Sequence, residues 1–129
     1  MVRLSMKNKM IKNLIVAIIL LITNYVYAAP SIVANNYADA TALSKEIDLP
    51  ILVIFSSADC RFCDLLKNNM PVTEDLIICF VDYNNNKSLV KKYGVSLIPD
   101  SLLIDSKGKI VKRLKGFKDK KTYTDWLNQ

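Results

Sequence analysis

The sequence predicts one α/β domain, a central mixed sheet with helices on both faces and an antiparallel hairpin at its C-terminal edge. Three observations predict it. Two short apolar runs, Ile51 to Phe55 and Leu76 to Val81, are continuous rather than alternating, the pattern of strands covered on both faces. Segments with apolar residues at helical spacing alternate with these runs. Near the C-terminus two further strand-like runs flank Ser106-Lys107-Gly108, which is good hairpin chemistry.

The elements follow in order. Met1 to Asn13 carries Arg3, Lys7, Lys9 and Lys12 and no acid, and Leu14 to Ile22 is unbroken apolar sequence. Val26-Tyr27-Ala28 then puts small or β-branched residues where a signal peptidase reads them. Residues 1–28 are therefore expected to be a secretory signal cut after Ala28. An uncleaved membrane anchor is the alternative, against which the apolar core is short of the roughly 20 residues of a spanning helix. Residues 29–36 read as a flexible lead-in to a domain over 37–129. Tyr37, Ala40, Leu43 and Ile47 share one helical face, and Pro50 disfavours a helical Leu49, so the helix stops near Asp48. Ile51 to Phe55 is the buried central strand. Ser56 to Asp59 makes a turn, and a helix starts at about Cys60 and runs to Asn69 before Pro71. The Leu76 to Val81 strand is followed by an asparagine turn, and a short helix from Ser88 to Tyr93 is stopped by Gly94. Ser101 to Asp105 and Lys109 to Leu114 form the hairpin, and Asp119 to Leu127 the last helix.

Charge says little about partners. Of 18 basic and 12 acidic residues, four basic and no acidic ones lie in residues 1–28, which leaves 14 against 12 beyond them. The overall pI of 9.2 therefore gives no reason to expect nucleic acid. Lys107 to Lys121 holds eight basic residues against Asp119, a density that blunts an exposed sheet edge. An acidic partner or a membrane surface is the other reading of it.

Chemistry concentrates at Ala58-Asp59-Cys60-Arg61-Phe62-Cys63-Asp64. Two cysteines three apart at a strand-to-helix junction can be a redox pair, a structural crosslink or half of a metal site. Two thiolates do not complete a tetrahedral zinc site, and the chain has no histidine to add. A crosslink over so short a loop adds little by chain entropy. The redox reading explains the placement best. Cys60 falls where backbone N–H groups lack partners and the helix end is partially positive, which favours a thiolate. It would attack a substrate disulfide, and the more buried Cys63 would resolve the mixed disulfide. Arg61 should favour the thiolate. Asp59 should oppose it, unless it caps the helix. Phe62 completes the tuning set. Cys79, between Ile78 and Phe80, reads as a small core residue, with a regulatory or intermolecular disulfide as the other reading. Tyr123 and Trp126 read as core contacts of the last helix.

With I-L-V-I-F-S-S-A-D-C-R-F-C, K-K-Y-G-V-S-L-I-P-D-S-L-L-I-D and S-K-G-K-I-V-K-R-L-K-G-F in this order, the chain resembles the thioredoxin superfamily from about Asn36 to its end. The Gly116 region is similar to exported domains of the thiol:disulfide interchange group. The resemblance implies a thioredoxin fold and a cis Pro99 facing the cysteines. It also implies Ile98 backbone groups pairing with an extended substrate like an added strand, and Gly116 letting the backbone pass close to this surface. It implies no metal or organic cofactor, protein thiols or disulfides as substrates, and a membrane redox partner. An exported, most plainly periplasmic, monomer is expected. Its activity would be reductase or interchange chemistry, with oxidase or isomerase activity, or a non-catalytic binding module, as alternatives. Several positions depart from the family. Asp59 replaces a tryptophan, Arg61-Phe62 a Gly-Pro pair, and Ile54 the buried acid that assists proton transfer.

Overall fold

The computed structural model describes residues 2–23, 31–71 and 73–129. Helix α1 spans Val2–Thr23. The body then runs β1 (Ile32–Ala34), α2 (Tyr37–Ile47), β2 (Ile51–Ser56), α3 (Arg61–Asn68) and β3 (Ile77–Asp82). It continues with α4 (Lys87–Lys92), β4 (Asp100–Ile104), β5 (Ile110–Lys115) and α5 (Lys120–Asn128). No described helix is long and apolar enough to cross a membrane. The Val26-Tyr27-Ala28 exit site and the cut after Ala28 lie outside the described residues.

The five strands form one mixed sheet in the order β1-β3-β2-β4-β5. β1 and β2 flank β3 in parallel, and β4 and β5 continue antiparallel from β2. β2 is central, and its residues 51–55 are all buried, as its continuous apolar sequence requires. Alternate β2 residues feed two cores. Ile51, Val53 and Phe55 meet Ala40 of α2 together with Tyr93 and Val95 beyond α4. Leu52 and Ile54 meet Leu66 of α3 and Tyr123 of α5, with Trp126 and Leu127 packed alongside. The expected mixed sheet, helices on both faces and edge hairpin are all present. Tyr123 and Trp126 are core contacts, and Cys79 is a free, fully buried cysteine.

One expectation is corrected. Part of the stretch read as a flexible lead-in, residues 29–36, is the edge strand β1, paired with β3 as Ile32↔Ile77, Val33↔Ile78 and Ala34↔Cys79. Three residues are too few to display a period, and the strand exists because β3 offers it an open edge. Elsewhere the boundaries move by a residue or two. Asp48 ends α2 in the left-handed region (φ 53°), and Asp105 nucleates the hairpin turn by accepting from the Lys107 and Lys109 N–H groups at 3.0 and 2.9 Å. β5 is the lysine-bearing outer edge of the sheet.

Candidate active site

The site is built where β2 ends and α3 begins. Cys60 is the N-cap residue of α3, with extended backbone (φ −102°, ψ 101°). Its Sγ accepts the Cys63 N–H at 3.2 Å, and its carbonyl accepts the Asp64 N–H at 3.1 Å. The sulfur thus occupies the place of a capping side-chain oxygen, on the partially positive end of the helix dipole. Cys60 and Cys63 are joined as a disulfide, with Cα atoms 5.2 Å apart. Cys60 is partly exposed, whereas Cys63 is only 4% exposed. A groove of about 310 Å³ opens beside Cys63, lined by Ser56, Ser57, Ala58, Asp64, Lys67, Phe80 and Asp82. Cys63 is therefore covered by protein yet borders this groove.

The cap is Cys60 and not Asp59, so the capping role considered for Asp59 falls away. The chain reaches the helix through Asp59 with its side chain exposed, and the N–H that a cap would take goes to sulfur. Arg61 is exposed too. Phe62 is 58% exposed and leans on Phe117, with ring centroids 6.0 Å apart. Ile54 is 1% exposed, in the apolar cluster beneath α3.

Topology brings the other predicted site residues, Ile98 and Pro99, to the same end of the sheet. In the antiparallel register of β2 and β4, Phe55 stands opposite Asp100, so the loop before β4 lies next to the loop leaving β2. That loop contains the Ile98–Pro99 bond, which is cis. Pro99 is fully buried, and its carbonyl accepts the Gly116 N–H at 2.8 Å. Gly116 has φ 79°, a conformation that side-chain-bearing residues rarely adopt, and a Cβ there would only touch Leu97 Cδ2 at 3.7 Å. The glycine is required by backbone conformation more than by space. Leu97 is 53% exposed beside Gly116, the residue before the Phe117 that Phe62 leans on.

Two residues near this surface escaped sequence reasoning. Asp100, directly after the cis proline, has no exposed surface and is paired with Arg113 of β5. In the sequence Arg113 is indistinguishable from the edge lysines around it. The signal was an acid heading the otherwise apolar Ser101-Leu102-Leu103-Ile104 strand, because a buried carboxylate demands a cationic partner. Among the described residues there is no cluster of three or more potential metal ligands.

A mixed five-stranded sheet flanked by helices, with a cysteine capping the helix after the central strand and disulfide-bonded to a second one three residues on, and a cis proline on the adjacent loop, defines a thioredoxin-type domain. The thioredoxin-like domain family matches residues 37–129, and the chain belongs to that family. Among solved structures the fold is similar to that of a DsbH oxidoreductase, with 22% identity over 81% of this chain and 88% of that one, at a TM-score of 0.64. It is also similar to a thioredoxin from Thermus thermophilus, with 18% identity over 78% and 86% and a TM-score of 0.67. A disulphide isomerase from Xylella fastidiosa Temecula1 is similar over 59% of this chain and 68% of that one, at 21% identity and a TM-score of 0.51. No curated protein sequence matches.

Proposed function

We propose that the protein is an exported thiol:disulfide oxidoreductase of the reductase or interchange type, with Cys60 as nucleophile and Cys63 as resolving thiol. The observation that carries this reading is the Cys60 sulfur at the N-cap of α3, accepting a helix N–H at 3.2 Å, with its partner one turn behind. A sulfur in that position is stabilised as a thiolate when the pair is reduced. The Cys60 thiolate attacks one sulfur of a substrate disulfide, the substrate S–S bond breaks, and one substrate thiolate leaves. Cys63 loses its proton toward the groove beside it and attacks Cys60 Sγ. The mixed disulfide breaks, the second substrate thiolate departs, and two electrons have passed to the substrate. Because Ile54 replaces a buried acid, water in the groove beside Cys63 is the proton acceptor in this scheme. Ile98 and Pro99 place the substrate, the Ile98 backbone pairing with an extended segment beside the substrate cysteine. Asp59, Arg61 and Phe62 tune the pair.

The chemistry needs no metal or organic cofactor. Regeneration of the dithiol needs a second dithiol, which we assign to a membrane redox partner. Export is supported by the basic head and apolar core of residues 1–22. Mass spectrometry of the secreted chain should find Ala29 at its start. An intact, membrane-held chain would favour the anchor instead.

Turnover against a protein disulfide tests the central claim. Cys60→Ser should abolish exchange, and Cys63→Ser should trap a mixed disulfide with substrate. Unchanged exchange in Cys60→Ser would leave a thioredoxin-fold binding module. The reduction potential of the couple decides direction. A value near about −270 mV marks a reductant and one near about −120 mV an oxidant.

A further inference from the structure

One guanidinium grips both ends of the loop that carries the cis proline. At the loop's start, Arg113 Nη1 donates to the Tyr93 carbonyl at 2.7 Å and Nη2 to the Gly94 carbonyl at 3.3 Å. At its end, Nε donates to Asp100 Oδ1 at 3.0 Å and Nη2 to Asp100 Oδ2. Residues 95–99 lie between these two anchor points. Asp100 is wholly buried, so its carboxylate has exchanged water for this one partner. The Gly116 N–H, just past the end of β5, also holds the Pro99 carbonyl at 2.8 Å.

Edge protection does not explain this arrangement. An edge lysine keeps its charge in water, whereas the Arg113 side chain is 24% exposed and commits three nitrogens to the loop. An ammonium is a point charge that could satisfy Asp100. A planar guanidinium with five donors can serve the carboxylate and two backbone carbonyls at once.

We propose that Arg113, through Asp100, is a positioning residue that clamps the 95–99 loop and so sets the backbone edge at Ile98 against which a polypeptide substrate pairs. The inference rests on the exchange activity proposed above and adds a specific dependence to it. Loosening the clamp weakens recognition of extended polypeptide disulfides. Attack on a small disulfide, which pairs with no strand, is unaffected.

The test uses the full chain, a peptide disulfide and hydroxyethyl disulfide as paired substrates, and two variants. Arg113→Met alone would bury an unpartnered carboxylate and could unfold the protein. The first variant is therefore the double apolar replacement Asp100→Leu with Arg113→Met, a type of exchange that is often neutral for stability. The second is Arg113→Lys, which keeps a charge beside Asp100 and loses the fork. In both, KM for the peptide should rise about ten-fold, the equivalent of roughly one lost charge-assisted hydrogen bond. The rate with hydroxyethyl disulfide and kcat for the peptide should stay within about two-fold of wild type, as expected when binding rather than chemistry is lost. An unchanged peptide KM overturns the clamp, as does a proportional loss on both substrates or full rescue by Arg113→Lys. A wild-type protein that exchanges with neither substrate removes the exchange reading itself, and this inference with it.

Discussion

Tyr123 and Ser101 offer a direct measurement of how α5 is locked to the sheet. Both residues are 0% exposed, and the Tyr123 hydroxyl donates to Ser101 Oγ at 2.8 Å. Tyr123→Phe keeps the ring, and with it the edge-on contact to Trp126 at 5.3 Å and the packing against Leu52, Ile54 and Leu66. It removes one hydrogen bond and leaves the buried Ser101 hydroxyl without its donor. Such an orphaned group costs about 1–3 kcal/mol. Ser101→Ala should cost a similar amount, because it strands the phenol instead. The double variant leaves no polar atom of the pair in the core, so it should be less destabilised than the two single losses added together. Urea unfolding of the oxidised protein reads these values as shifts in midpoint at constant slope. For a body of about 100 residues each kcal/mol also moves Tm by roughly 4–8 °C. The reasoning is refuted if Tyr123→Phe is silent, or if the two losses simply add.

Further outcomes follow from burial and titration. Burial pushes the Cys79 thiol up to about 11 and the Tyr37 and Tyr123 phenols up to about 12. All three are held as neutral acids, so the stability they carry is complete below pH 9 and declines as pH rises through 9 to 12. The urea midpoint should fall across that range, and Cys79→Val should remove the earliest part of the decline. Cys79 should also resist iodoacetamide in the native reduced protein while Cys60 reacts; equal labelling would contradict its burial. Leu66→Ala, at a position 1% exposed beneath the cysteine helix, should cost about 2–5 kcal/mol in urea unfolding. Phe62→Ala, at a largely exposed ring, should cost under about 1 kcal/mol. It should nevertheless raise KM for peptide disulfides, and an unchanged KM would remove Phe62 from the substrate surface.

Much of the site could be read in the sequence because its parts are local. The cysteine pair, the strand before it and the helix after it occupy adjacent residues, and the continuous run of Ile51 to Phe55 reports burial on both faces without any knowledge of neighbours. The glycine stop after α4 and the turn at Ser106-Lys107-Gly108 are likewise local backbone chemistry. Pro99 is different. Its cis bond is implied only by the family resemblance, since nothing in Ile98-Pro99 itself distinguishes it from an ordinary turn.

What the sequence by itself determined was the order of elements from Tyr37 onward, the thiol pair at a helix mouth and the buried character of the central strands. Hydrophobic period and capping chemistry act within a few residues and need no partner. Only the tertiary structure decided that Ile32–Ala34 is a strand, that Cys60 and not Asp59 caps α3, that Phe62 leans on Phe117, and that Asp100 is held by Arg113. These features depend on cross-strand register and on which loops meet at one end of the sheet. Pairing energies between residues distant in sequence set both, and those energies leave no local period to read.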